Sequence, residues 1–343
     1  MYGSSLKLWI DPRCSVALQE AAGGESGCIE ARSPILYAKA IKTEAEIEGF
    51  RKCHIRDSIA LCKYFAWLEE ELVVKKNANI SEVDGADKLE EYRKELSDFM
   101  GLSFDTISGS GSNGAIIHYK PEKHSCSKIS VDEMYLCDSG GQFMDGTTDV
   151  TRTMHFGTPT DYEKETFTRV LKGHIQLDMA VFPQGTTGYI LDVLARTSLW
   201  KAGLDFRHGT GHGVGSFLNV HEGPQGIAYR ISCNDTPLEA GMTVTNEPGY
   251  YEDGKFGIRI ENVMIVKQVK TPYLFGDRPY LGFEHVTVVP IQTKLIKKEL
   301  LTSEELNWIN DYHAYVFEKV SGHLDASSAA YRWLLKETKP LET

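Results

Sequence analysis

Apolar residues recur at helical spacing from Ile47 through Phe50, Ile55, Ile59 and Leu61 to Phe65, which predicts a long helix ending near Leu72. Thr43 and Glu46 stand where a capping box would open it. Ser81 and Asp84 open a second predicted helix that runs to about Met100, before Gly101. Thr160 and Glu163 cap a third, to about Val181, and a fourth covers 189–202. Thr302 and Glu305 cap a C-terminal helix, and 326–337 reads as another. Short apolar or alternating runs predict strands at 6–10, 134–137, 147–154, 242–246, 256–267 and 285–290. Residues 19–34, rich in Gly, Ser and Glu, read as loop, and 105–119 as loop with a short strand. Long helices mixed with paired strands predict an α+β fold. Residues 36–320 read as one domain, 1–35 as the remnant of a preceding domain plus linker, and 321–343 as a C-terminal helical extension.

Composition narrows the classes. The 343 residues are 41% apolar, enough for a sizeable core. A formal charge of −11 argues against a nucleic-acid partner bound through a basic surface. No apolar run is long enough to predict a membrane span, and the first residues lack the basic and apolar regions of a secretory signal. The seven cysteines, Cys14, Cys28, Cys53, Cys62, Cys126, Cys137 and Cys233, are odd in number, widely spaced and free of any C-x-x-C pair. Reduced thiols in a cytoplasmic protein fit that pattern best.

Four stretches carry candidate chemistry. Asp138 ends the apolar run Leu136-Cys137. Strand alternation would put Thr147, Asp149, Thr151 and Thr153 on one unusually polar face. His208, His212 and His221 lie in a glycine-rich stretch, and Glu247, Arg259 and Glu261 follow. Taken singly, each has an ordinary explanation: a strand-end turn for Asp138, a solvated face for Asp149, Arg259 and Glu261, a turn before Pro-Gly for Glu247. Taken jointly they do not. Two like charges ~4 Å apart repel by about 4 kcal/mol at an effective dielectric of ~20. If Asp138, Asp149, Glu247 and Glu261 converge, two divalent cations would balance them. A carboxylate-rich set with one imidazole suits Mn²⁺ or Mg²⁺ better than thiolate-seeking metals. The glycines around His212 match neither dinucleotide nor P-loop fingerprints. His118, after Ala115-Ile116-Ile117, is ambiguous on spacing alone.

These residues, with Ser108 to Tyr119, the string Asp145 to Gly157 and His208 to Pro224, resemble the proline-specific metallopeptidases that share the pita-bread fold with methionine aminopeptidase and creatinase. Within them the chain is most similar to the eukaryotic cytosolic Xaa-Pro aminopeptidases, over about residues 30–338. The resemblance implies five metal ligands, Asp138, Asp149, His212, Glu247 and Glu261, holding two divalent ions, with Mn²⁺ favoured. Asp149 and Glu261 would bridge, and Glu247 would also serve as general base. His221 would contact the substrate carbonyl and shuttle protons; His208 and His118 would orient substrate and stabilise the tetrahedral intermediate. Arg259 would hold the metal-bound carboxylates in place. The implied reaction is hydrolysis of the bond between an N-terminal residue and a following proline, by a hydroxide bridging the two metals.

Two departures stand out. Nine positions separate His212 from His221, against seven in prolidases, which favours the long aminopeptidase type. Asn246 precedes Glu247 where relatives carry Asp. The resemblance further implies a homodimer, and amino-terminal domains ahead of the catalytic one. A prolidase-type dipeptidase, a truncated enzyme and a non-catalytic binding module are the competing readings. The last expects lost metal ligands, and here all five positions are intact.

Overall fold

A computed structural model describes residues 6–230 and 235–342. The predicted Cys233 and the extreme N-terminal residues lie outside the described residues, and the six described cysteines are free. No described helix is long and apolar enough to cross a membrane.

The long helix is Glu44–Glu69, continued by a π turn over Glu70–Val74. Thr43 and Glu46 form the expected capping box, as do Ser81 with Asp84, Thr160 with Glu163 and Thr302 with Glu305. Each box satisfies backbone N–H groups that the helix itself leaves unpaired. The helices they open are Glu82–Lys94, Asp161–Asp178 and Ser303–Val320, joined by Gly188–Trp200 and Ala329–Glu337.

Antiparallel strands curl into the layer these helices cover. Ile107–Ser110, Met134–Ser139 and Val150–His155 form one three-stranded sheet. Thr243–Asn246, Asn262–Val269, Tyr280–His285 and Phe182–Pro183 form a four-stranded one. The hairpin Gly249–Glu252 with Phe256–Arg259 connects Thr243–Asn246 to Asn262–Val269 in sequence. The main core packs the long helix, through Leu61, Tyr64, Phe65 and Leu68, with Met134, Tyr135, Met154, Val316 and Trp333.

Four sequence readings need correction. The second helix stops at Lys94, and Phe99–Leu102 is a strand after a left-handed Asp98. The run 256–267 is two strands, broken at Ile260-Glu261 where Glu261 turns toward Asp149. The strand expected at 285–290 is Tyr280–His285 instead. Residues 19–34 contain a short helix, Gly24–Gly27, and the strand Cys28–Glu30, which pairs in parallel with Leu8–Ile10. A three-residue strand has no period to read; its partner, about twenty residues away, makes it.

Candidate metal centre

Strands from both halves of the curled sheet deliver the carboxylates. Asp138 sits one residue from the end of Met134–Ser139, opposite Thr151 in the register with Val150–His155. Asp149 lies just before that second strand. Glu247 follows Thr243–Asn246, with its N–H donating to the Thr210 carbonyl at 2.8 Å. Glu261 sits in the break between two strands, with its N–H donating to the Thr151 carbonyl at 3.2 Å. His212 pairs through the two-residue strand Gly211–His212 with Gly226–Ile227. The flanking glycines permit that seat: a Cβ at Gly211 would lie 2.0 Å from the Thr245 carbonyl oxygen, and one at Gly213 2.0 Å from that of Glu222.

All nine residues singled out from the sequence line one cavity of about 620 Å³: His118, Asp138, Asp149, His208, His212, His221, Glu247, Arg259 and Glu261. Phe104, Ile107, Ile117 and Val220 give it an apolar side. Asp149, His212 and Glu261 each present a ligand atom within 4.8 Å of the others, spacing that suits ligands around a single cation. His212 Nδ1 stands 3.0 Å from the Gly213 carbonyl oxygen, which assigns its proton there. Nε2 faces the carboxylates, 3.4 Å from Asp149 Oδ2 and 3.5 Å from Glu247 Oε1. Asp138 Oδ1 is buried without a hydrogen-bond partner among the described residues. Such a donor set, oxygen-rich with one imidazole nitrogen, fits a pair of divalent cations.

Electrostatics agree with the geometry. Burial, then the charges of Asp138 and Glu247, raises the Asp149 carboxyl well above the usual range. Burial, then Asp149, Asp138 and Glu247, does the same to Glu261. Glu247 is raised by burial, with His212 and Arg259 pulling the other way. One guanidinium offsets this crowd: Arg259 donates from Nη2 to Asp138 Oδ2 at 2.6 Å and from Nε to Thr151 Oγ1 at 3.1 Å. Thr151 in turn donates to Glu261 Oε2 at 2.7 Å.

Tyr251 completes this network and is absent from the sequence reading. Its hydroxyl accepts from Arg259 Nη1 at 2.6 Å and stands 2.9 Å from His208 Nε2. With His208 Nδ1 donating to the Gly209 carbonyl at 2.7 Å, Nε2 is the acceptor of the Tyr251 proton. Burial first, and Arg259 next, lower the His208 pKa to about 3, so its ring stays neutral. The Asp253-Gly254 pair was the available signal. It turns the hairpin, sets Tyr251 opposite Gly257 and leaves it diagonal to Arg259. Asn246, the departure beside Glu247, points away from the carboxylates; its amide donates to the His174 carbonyl at 2.9 Å.

A curled antiparallel sheet around a cavity lined by carboxylates and histidines defines the pita-bread class of metallopeptidases. Residues 48–268 match metallopeptidase family M24 and residues 279–341 its C-terminal region, and the chain belongs to that family. It is 60% identical over 335 residues to the probable Xaa-Pro aminopeptidase P of Laccaria bicolor, covering 98% of this chain and 52% of that one. The probable Xaa-Pro aminopeptidase P of Arthroderma gypseum is 58% identical over 339 residues, 99% of this chain and 53% of its own. The chain thus spans about half the length of the curated relatives it matches. Among solved structures, an X-prolyl aminopeptidase from Caenorhabditis elegans, a cytosolic enzyme with a di-nuclear active site, aligns with a TM-score of 0.89 at 41% identity, over 98% of this chain and 54% of that one. Prolidase from Pyrococcus furiosus aligns with a TM-score of 0.67 at 26% identity, over 82% and 76%.

Proposed function

We propose that this chain is a metal-dependent aminopeptidase that releases an N-terminal residue preceding proline. The observation that carries the reading is the convergence of Asp138, Asp149, Glu247 and Glu261 in one cavity with a single ligand-ready imidazole, His212. These five side chains would hold two divalent cations, with Mn²⁺ the best match to an oxygen-rich set containing one nitrogen. When bound, such cations polarise a carbonyl and lower the pKa of water.

The remaining roles belong to the chain itself. A Glu247 carboxylate oxygen takes the proton of the attacking water, and the His221 ring passes a proton toward the proline nitrogen as it leaves. Arg259 holds Asp138 in place, and Thr151 holds Glu261. Through Tyr251, His208 steadies that guanidinium, while His118 orients substrate from the rim. Phe104, Ile107, Ile117 and Val220 suit an apolar proline ring.

We read the protein as cytoplasmic, like the C. elegans relative, and as a homodimer on the family resemblance; light scattering on the purified protein tests the latter. Activity is tested by offering an Xaa-Pro-Pro tripeptide, an Xaa-Ala-Pro control and an Xaa-Pro dipeptide, with Mn²⁺ and after chelation. Metal-dependent release from the proline tripeptide alone is expected. Cleavage of the dipeptide alone would replace this reading with a prolidase. Neither cleavage nor bound metal would leave a binding module.

A further inference from the structure

His221 opens onto the cavity beside His212, with ring centroids 4.1 Å apart at 75°. Its ring hydrogen-bonds to no protein group among the described residues, so its position is set through the backbone. That backbone belongs to an unusual loop. Phe217, Leu218 and Asn219 all have left-handed φ angles, of 61°, 65° and 56°. Three consecutive non-glycine residues in that region persist only where the surroundings hold them.

The next residue, Glu222, faces the opposite way and is buried. Its Oε1 accepts from Lys42 Nζ at 3.1 Å and its Oε2 from Lys39 Nζ at 2.9 Å. Asn219 Nδ2 donates to the same Oε2 at 3.3 Å, so the carboxylate also ties down the strained stretch itself. Glu222 N–H donates to the Gly213 carbonyl at 2.7 Å, one residue beyond His212. The Lys42 side chain is 1% exposed, Glu222's 3% and Lys39's 53%. A buried, desolvated ion pair is an expensive way to hold a surface loop, and weak evidence for stability alone. Lys39 and Lys42 also lie ahead of residues 48–268, the part that matches the family.

We propose that Glu222, gripped by Lys42 and Lys39, is a positioning residue for His221. The clamp rests on the reading of His221 as the proton shuttle. It makes the segment before the long helix part of the catalytic apparatus: the ends of Pro34–Ala40 and its following turn fix where the shuttle ring stands.

The test uses the metal-loaded chain. K42M/E222Q removes the pair without leaving a buried lone charge, and K39M removes only the half-exposed cation. Hydrogen exchange across 215–224, read without substrate, is expected to accelerate in the double variant and less in K39M. Turnover of the proline tripeptide is expected to fall on the order of 10- to 100-fold in kcat, with KM little changed and two metals retained. K42R should recover most of it. In an H221A background the same pair of changes should cost nothing further. Unchanged exchange in the folded variants would overturn the clamp, as would an equal loss of kcat with and without His221. If the unaltered chain cleaves no proline peptide, the activity reading falls, and the exchange data still decide the clamp.

Discussion

The strand Val150–His155 has buried charge on both its sides, and the two sides are handled in opposite ways. On one, Arg152 is enclosed and meets no carboxylate side chain among the described residues. Its guanidinium donates to the carbonyls of Thr151, Glu261, Val289 and Pro290, to Asn262 Oδ1 and to the Tyr312 hydroxyl, at 2.7–3.3 Å. On the other, four carboxylates crowd against one guanidinium, and Asp138 Oδ1 has no hydrogen-bond partner among the described residues. Glu261 belongs to both: its carbonyl serves Arg152 and its side chain serves the cavity. A buried charge whose hydrogen bonds are all met is part of the fold. Buried charge left in excess is a site waiting for counter-charge.

That contrast can be broken from either side. The largest effect is expected from Asp149→Asn or Glu261→Gln. Each should reduce bound metal below two per chain and cut turnover on the order of 10⁴-fold, about 5 kcal/mol. In the chelated protein the same changes should raise the melting temperature, since a repelling charge is gone. A lowered melting temperature in calorimetry would contradict the excess-charge account. Arg152→Met tests the opposite side. Taking the guanidinium away from four backbone carbonyls and from Asn262 should cost about 3–5 kcal/mol in urea unfolding, with the metal content of the folded fraction unchanged. His221→Ala comes next: both metals stay bound by elemental analysis, and kcat falls on the order of 10²–10³-fold. Wild-type turnover in that variant would end the shuttle assignment.

The smallest expected effect is a pH dependence. Asp149, Glu247 and Glu261 have raised pKa values without metal, so the fold favours their protonated forms. Their contribution to stability is full below the ordinary 3.8 and 4.5, and it is lost as pH rises through the folded-state values. The chelated protein should therefore lose stability relative to the metal-loaded one as pH climbs from about 4 toward neutrality. The slope is partly masked by carboxylates shifted the other way. Arg51 lowers Glu284, and in Asp178 the rise from burial is outweighed by the hydrogen bonds of His285 and Trp308 acting together with the charges of His285 and His174. Denaturant midpoints with and without chelator would show whether the two curves diverge.

The sequence by itself determined what depends on near neighbours. Four capping boxes announced four helices because both halves of each box lie within three residues. The candidate ligand types, their order and their spacing were equally legible, since they are a linear pattern. Only the tertiary structure decided the rest. Whether Asp138 and Glu261 meet depends on register across a sheet, and the partners are more than a hundred residues apart. Cys28–Glu30 is a strand only because Leu8–Ile10 lies beside it. Tyr251 reads as one tyrosine among sixteen until the hairpin places it between Arg259 and His208. Glu222 reads as an ordinary acid until lysines some 180 residues earlier close on it. Local sequence encodes backbone preference and chemical type; which charges end up satisfied is settled by contacts between distant segments, and in this protein that difference separates scaffold from site.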